Sequence, residues 1–364
     1  MCQLWILWVL EQIVAFLHDD PPTLRACALT SRLLVAAAQL HLFHTIDFDL
    51  ANPPASPLRI QKILAENPYL AQHIRRIHFL IDDSAHIAKI PLPRLEHITL
   101  RLGIQSAYPA PVTAAIVGLP LVRSVEICGI MRGPGALALI FSACTPNLQE
   151  VAFKRCSELH HQYGLPREIR QPIRAQPTRL VLFRTISSTS LLVDEGGPFD
   201  LSRLVSVDAH HADFSSLCLI LDGARFRLQR LSISMENIRY LDLVAFPALT
   251  HLELEFTLQQ LPNLPSALEH VDPGNVIREI LLVDHRRWTM GIQNALHQDM
   301  KDFLPTFDAS LTVLPLHALQ RVEVRTHYPD RQGDSGHMVR ETEGLWKKCL
   351  PILIARNLLV LTHR

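Results

Sequence analysis

The segment PRLEHITL, residues Pro93–Leu100, carries the pattern that decides the fold of this 364-residue chain. An apolar residue, Leu95, is followed by two polar residues, a second apolar residue, one polar residue and a third apolar residue. The alternation of Ile98, Thr99 and Leu100 is typical of a short strand with one apolar face, and the Pro-Arg pair marks a turn before it. The segment therefore predicts a strand that buries one of its two faces.

The same pattern recurs along most of the chain. Successive copies begin 21 to 29 residues apart, except for a last interval of 42 residues. A period of roughly 20 to 29 residues is typical of leucine-rich repeats, in which each copy adds one strand and contacts only its neighbours. The copies are IRRIHF from Ile74, LEHITL from Leu95, VRSVEI from Val122, LQEVAF from Leu148, a compressed PTRLVLF from Pro177, LVSVDA from Leu204, LQRLSI from Leu228, LTHLEL from Leu249, IREILL from Ile277 and LQRVEV from Leu319.

Apolar helical stretches lie between several of these copies. PGALALIFSAC begins at Pro134 and FSSLCLILDGA at Phe214, and both predict helices that cover the strands. The expected fold is therefore α/β, a degenerate leucine-rich-repeat solenoid over residues 73–364. The alternative is an ordinary α/β sheet, but the copies are too alike and too closely spaced, and the Gly-rich phosphate turn of a dinucleotide fold is absent. Only Cys156 occupies the Asn or Cys position of a regular repeat, so irregular turns are expected.

The sequence of residues 1–48 predicts a small all-α unit. A linker and a first helix over residues 49–72 are expected to join this unit to the repeats. One amphipathic helix covers roughly residues 4–18. Asp20 is suited to cap a second helix that begins at Pro21 or Pro22 and ends near Ser31, and a third helix follows over 32–42. Three short helices bury too little apolar surface to be stable alone, so they need the rest of the chain or another protein.

The run LEQIVAFLHDDPPTLRACALTSRLLVAAAQLHLFHTIDF, Leu10–Phe48, resembles the F-box of large fungal protein families. The proline pair, Leu-Arg-Ala-Cys, Ser-Arg and His-Leu-Phe fall in the order of that motif, while LWILWV replaces the LPPE that usually opens it. The resemblance implies a helical hairpin that binds the Skp-type adaptor of cullin-RING ubiquitin ligases. Carried over by position, the adaptor-binding residues are Leu10, Ile13, Leu17, Pro22, Leu24, Ala28, Ser31, Arg32, Leu42 and Phe43.

Charge and cysteine content exclude several other classes of partner. Lys plus Arg and Asp plus Glu both number 35, so the basic excess typical of proteins that bind nucleic acid or anionic membranes is absent. The seven cysteines form no CxxC pair, which favours free thiols in a reducing compartment, the cytoplasm or the nucleus. MCQLWILWVL lacks the basic region of a signal peptide, and no apolar run reaches the roughly 20 residues of a membrane span.

The histidines do not predict a metal or catalytic site. His160–His161 and His210–His211 are adjacent pairs that are expected on opposite sides of a strand or in solvent, and HExxH is absent. His41 and His44 are expected on one helix face, but two ligands without a third are typical of a surface. GxSxG, a Walker loop and GxGxxG are also absent, so no catalytic residue, metal or cofactor is predicted.

A long insertion contains a candidate target-binding group. Trp288 follows Arg286 and Arg287, and these are the residue types of interface hot spots. The alternative is that Trp288 is buried under its own insertion.

The sequence thus predicts a substrate-receptor subunit of an SCF-type ligase, which is not itself an enzyme. Its helical hairpin is expected to bind the adaptor, and its repeats a target protein. The alternative is a stand-alone leucine-rich-repeat scaffold whose first helices are a cap, as repeat arrays require.

Overall fold

The computed structural model shows an α/β protein with two compact units. The N-terminal unit comprises Met1–Pro177 with Asp194–Asp200, and the C-terminal unit comprises Thr178–Val193 with Leu201–Arg364. None of the helices in the described part of the chain combines the length and apolarity needed to cross a bilayer. The structure describes residues 2–48, 57–103, 111–131, 134–158, 175–184, 198–210, 212–238, 240–256, 260, 268, 274, 276–284, 304–309, 316–326, 340, 343–344, 346–348 and 350–363.

Strands of the N-terminal unit pair in parallel and in chain order. These strands are β1 (Thr45–Asp47), β2 (Arg76–Leu80), β3 (His97–Leu102), β4 (Ser124–Met131) and β5 (Glu150–Glu158). Its helices are α1 (Cys2–Phe16), α2 (Pro21–Thr30), α3 (Arg32–Leu42), α4 (Pro57–Glu66), α5 (Ser84–Ile87), α6 (Pro111–Val117) and α7 (Pro134–Ile140), with 3-10 turns at Pro68–His73 and Ile81–Asp83.

Strands of the C-terminal unit follow the same rule. They are β6 (Arg179–Phe183), β7 (Ser206–Ala209), β8 (Arg230–Ser234), β9 (His251–Phe256), β10 (Glu279–Asp284), β11 (Arg321–Thr326) and β12 (Leu359–His363). Its helices are α8 (Phe214–Ala224), α9 (Met235–Ile238) and α10 (Pro351–Ala355), with 3-10 turns at Leu201–Arg203 and Leu243–Ala245. Residues 304–309, in the longest interval between repeats, are also helical.

The repeat pattern correctly predicts where ten of these strands lie. In the PRLEHITL segment, Leu95, Ile98 and Leu100 are each at most 1% exposed. β1 and β12 were not predicted, because β1 has only three residues and β12 lacks the leading apolar-polar-polar part of the motif. The helices predicted at 32–42 and over FSSLCLILDGA are confirmed with the same bounds.

One backbone contact recurs just before the strands. The Arg75 carbonyl accepts hydrogen bonds from the amides of Glu96 and His97, both at 2.9 Å. In these repeats the acceptor is the residue that follows the first apolar position of the motif, and the donors are the two residues between the first and second apolar positions of the next repeat; His44 has the same role before β1. This shared acceptor explains why two residues separate the first and second apolar positions. The acceptors are His44, Arg75, Glu96 and Arg123 in the N-terminal unit, and Thr178, Val205, Gln229, Thr250 and Arg278 in the C-terminal unit.

A buried carboxylate anchors α10 in the C-terminal unit. Asp308 accepts hydrogen bonds from the amides of Ile352 at 2.7 Å and Leu353 at 3.0 Å. The first amides of a helix have no partner within the helix, so Asp308 acts as a cap supplied from more than forty residues away along the chain. This contact joins the last strand and helix to the rest of their unit.

Gly129 provides a test of the strand geometry. It has a φ of 105° where the register between β4 and β5 shifts, and an added Cβ would overlap the Leu102 carbonyl. We expect Gly129→Ala to lower the free energy of unfolding by about 2 kcal/mol, measured by urea denaturation. The control is Gly223→Ala in α8, where the new Cβ meets only the Leu201 side chain and a helical alanine is favoured. Equal losses from the two substitutions would contradict this explanation.

Candidate interaction surfaces

The helices α1, α2 and α3 pack around a small apolar interior. Val14 of α1, Leu24 of α2 and Ala38 of α3 are its buried centre. One residue from each helix thus lies at the middle of the bundle, as expected for so short a unit. The partly buried side chains around this centre are Leu17, Cys27, Ala28, Leu34, Ala37 and Leu42.

Side-chain caps separate the second and third helices from their neighbours. Asp20 accepts a hydrogen bond from the Thr23 amide at 3.2 Å, which confirms it as the cap of α2. The Thr23 hydroxyl and amide lower the pKa of Asp20, because both donate to its carboxylate. Ser31 ends α2 and accepts from the Leu33 amide at 3.3 Å at the start of α3. The caps in the Asp-Pro-Pro and Ser-Arg sequences thus set where α2 and α3 begin, and the result is a helical hairpin.

The outer side of this bundle is strongly apolar. Phe16 of α1 is 86% exposed and Leu29 of α2 is 88% exposed. The exposed large apolar residues of α1 share one face at helical spacing, and two of them, Trp5 and Trp8, pack edge to face with ring centroids 5.6 Å apart. Exposed apolar patches of this kind mark interaction sites. We define the apolar surface as Trp5, Trp8, Val9, Ile13, Phe16, Leu29, Leu33 and Leu40.

The ten residues assigned by the F-box resemblance occupy three environments. Leu24, at 1% exposure, lies in the interior and therefore holds the helices together. Ile13, Pro22 and Arg32 are exposed, and Ile13 belongs to the apolar surface. The remaining residues are partly buried: Leu10, Leu17, Ala28, Ser31, Leu42 and Phe43.

Of the residues of the apolar surface, the F-box resemblance assigned only Ile13 to the adaptor. The only signal for Trp5, Trp8 and Phe16 in the sequence is that apolar residues recur at helical spacing through the first sixteen positions. A stretch of that composition is also typical of a buried helix, and the sequence does not distinguish the two.

Two histidines predicted on one helix face lie instead on either side of a helix end. His41 is in α3, whereas His44 follows its last residue and precedes β1. Both line a cavity with His18 and Arg76. Partial burial lowers the pKa of His41 and of His44, and the neighbouring positive charges lower both further.

In the C-terminal unit, parallel register aligns outward side chains into rows across the strands. We name the resulting surface of β6–β11 the strand face, and a groove of about 430 Å³ runs along it. The first row is Arg179, Ser206, Arg230, His251, Glu279 and Arg321. The second row is Val181, Asp208, Ser232, Glu253, Leu281 and Glu323.

His210 joins three carboxylates at one end of the strand face. Its Nδ1 lies 2.8 Å from Glu255 Oε2, and its Nε2 lies 3.2 Å from Asp208 Oδ1 and 3.9 Å from Glu253 Oε1. Ser232 Oγ is 2.8 Å from the same Nε2. Burial opposes the charged imidazolium, but the contact with Glu255 and the charges of Asp208 and Glu253 outweigh it and raise the pKa of His210. Of the two positions expected for the His210–His211 pair, solvent is therefore wrong for His210, which is 9% exposed, and His211 lies outside the described residues.

Glu323 is the centre of a second charged cluster, at the other end of the groove. It accepts hydrogen bonds from Arg321 at 2.7 Å, Arg325 at 3.0 Å and the Thr362 hydroxyl at 2.7 Å. Burial opposes its charge, but these donors and the two guanidinium charges lower the pKa of Glu323. Two arginines thus share one carboxylate.

The cysteines of β4 and β5 have a structural environment. Cys156 of β5 donates a hydrogen bond from Sγ to the Ile127 carbonyl of β4 at 3.1 Å. Burial raises the pKa of both Cys128 and Cys156 to about 12. Neither thiol is therefore a ready nucleophile at neutral pH.

Other predicted residues fall outside the described ranges. These include the target-binding group of Arg286, Arg287 and Trp288, and the histidines His160, His161 and His211. Among the residues that the structure does describe, no three His, Cys, Asp or Glu side chains are placed to hold a metal ion.

Similarity to known proteins supplies no family for the chain. No protein-family model matches it, and no curated protein sequence is detectably similar to it. The functional argument therefore depends on the residues and surfaces described above.

The His210 cluster predicts a pH-dependent stability. Because the folded-state pKa is raised, the charged imidazole stabilises the fold at low pH, and this stabilisation is lost as pH rises above about 6.5 through the raised value. We expect His210→Gln to cost on the order of 2 kcal/mol in the free energy of unfolding at pH below 6, and less at pH 9. Denaturant titrations at both pH values measure the difference.

The matched control is His317→Gln, which replaces an exposed histidine outside the cluster. An effect of His210→Gln that is the same at both pH values would contradict a charged imidazole in this cluster.

Proposed function

We propose that the protein is a substrate-receptor subunit of an SCF-type cullin-RING ubiquitin ligase. In this proposal α1–α3 form an F-box-like unit that binds the Skp-type adaptor, and the strand repeats are a degenerate leucine-rich-repeat solenoid that binds a target protein. The observation that carries the proposal is that the helices with the F-box-like sequence also expose a large apolar surface. The chain's role is to position the target, which raises its effective concentration at a remote enzyme.

The exposed apolar side chains support a partner at the helical unit. Removing apolar area from water stabilises a complex by roughly 25 cal/mol per Å² before the costs of association. Trp5, Trp8 and Phe16 are the large aromatic type that dominates binding energy at interfaces. Ile13 belongs both to the residues that the F-box resemblance assigns to the adaptor and to the apolar surface, where its side chain is 52% exposed.

The alternative, a stand-alone leucine-rich-repeat scaffold with a helical cap, is favoured by a different observation. β1 follows α3 closely and pairs in parallel with β2. The His44 carbonyl accepts from the amides of Arg75 and Arg76, both at 3.0 Å, as a repeat does. The helices thus lead directly into the strand array, which is where a cap is placed.

Adaptor binding by substituted chains tests the proposal. We expect Ile13→Asp to weaken binding of a purified Skp-type adaptor at least roughly tenfold, because a carboxylate would lose its water in an apolar interface. Leu58→Asp makes the same kind of substitution at an exposed apolar residue of α4, outside the apolar surface, and is the matched control. Isothermal titration calorimetry measures both affinities, and circular dichroism confirms that both variants are folded.

Two outcomes would contradict the proposal. If the unsubstituted chain does not bind an adaptor that binds a standard F-box protein, the scaffold is the better account. If Ile13→Asp and Leu58→Asp bind equally well, the apolar surface is not the interface. Leu24→Asp is unsuitable as a test, since a charge in the interior should unfold the helical unit.

A further inference from the structure

We propose that the first row of the strand face binds an acidic segment of the target protein. The inference rests on the proposed role of the repeats in target binding, and it specifies the chemistry of the bound segment. Arg179, Arg230 and Arg321 all lie in this row and line the groove.

The carboxylates of the groove already lie beside arginine or histidine side chains of the protein. Asp208 and Glu253 of the second row lie beside His210, and Glu323 accepts from Arg321 and Arg325. Glu279, the acid of the first row, lies with its Oε2 3.3 Å from His251 Nε2. A basic ligand would compete with these side chains for each carboxylate.

The arginines of the first row are better placed to contact a ligand. Arg179 and Arg230 are exposed, and the Arg321 side chain is 42% exposed even though it contacts Glu323. An arginine side chain is longer than that of aspartate or glutamate, so it extends further from the sheet. Each guanidinium has five N–H donors, and one contact to a carboxylate leaves others for a second anion.

The strand positions set the spacing of the ligand's charges. Strands are about 4.8 Å apart, so Arg179 on β6 and Arg230 on β8 are separated by about 10 Å, and Arg230 and Arg321 on β11 by about 14 Å. A polyproline-II segment is extended, advances about 3.1 Å per residue and has three residues per turn, so acidic residues three and four positions apart span about 9 and 12 Å and stay within a third of a turn of each other. The whole chain has a formal net charge of zero, so a preference for acidic ligands must come from this local row.

Labelled peptides of about twelve residues test the proposal on the whole chain. Their acidic residues have the two spacings that the distance between strands sets. The first peptide has a Gly/Ser background and three glutamates, three and then four positions apart. In the other peptides glutamine, lysine or phosphoserine replaces the glutamates. The lysine peptide tests the opposite charge, and the phosphoserine peptide separates a phosphate ligand from a carboxylate one. Fluorescence anisotropy at low and high salt measures binding.

We expect the glutamate peptide to bind at least roughly fivefold tighter than the glutamine peptide at low salt, and this advantage to vanish near 0.5 M salt. Arg230→Gln and Arg321→Gln should each weaken it roughly threefold, and together roughly tenfold. The control is Arg227→Gln, an exposed arginine outside the groove, which should leave binding unchanged. Tighter binding of the phosphoserine peptide, with the same dependence on Arg230 and Arg321, would support the row with phosphate as the preferred anion.

The proposal is overturned if glutamate and glutamine peptides bind equally, if the lysine peptide binds tighter, or if Arg227→Gln weakens binding as much as Arg230→Gln. Adaptor binding is measured on the same preparations. If the unsubstituted chain does not bind the adaptor, the proposed function fails, while the peptide results still decide whether the row binds acidic segments.

Discussion

The shared carbonyl that precedes nine of the described strands is the contact that sets the remaining architecture. Within each unit, the residue after the first apolar position of a motif accepts from two successive amides of the next copy, as Glu96 does from Arg123 and Ser124 at 2.8 and 3.1 Å. This contact fixes the register between repeats, and register decides which side chains are buried. It therefore sets both the apolar interior, with Leu95, Ile98 and Leu100, and the charged rows on the opposite face.

The fixed register also explains why charged clusters form between repeats. Asp208, Ser232 and Glu253 belong to three different copies of the motif, yet they are register partners across neighbouring strands. His210, one position after β7, lies among them. A strand face assembled in this way has its charges at spacings set by the backbone, which suits recognition of an extended partner.

Local pattern predicted most of the architecture, because apolar alternation and helix caps act over a few residues. The strand at 97–102, the helix at 32–42 and the Asp20 cap follow directly from neighbouring residues. Contacts between distant segments could not be predicted in this way. Asp308 as a cap for α10 and the carboxylates around His210 arise only when repeats are placed side by side. Likewise, Leu24 is buried and Ile13 is exposed, although both are apolar residues on helices, because burial depends on how the helices pack.

Hydrogen–deuterium exchange of the whole chain, with and without a purified Skp-type adaptor, measures whether α1–α3 form the adaptor interface. The account predicts slower exchange in peptides covering Trp5–Phe16 and Leu29–Leu40 when the adaptor is present, because bound partners shield these helices and suppress their local opening. Exchange in the strands of the C-terminal unit should be unchanged. Exchange in α1–α3 that is the same with and without adaptor would contradict the account.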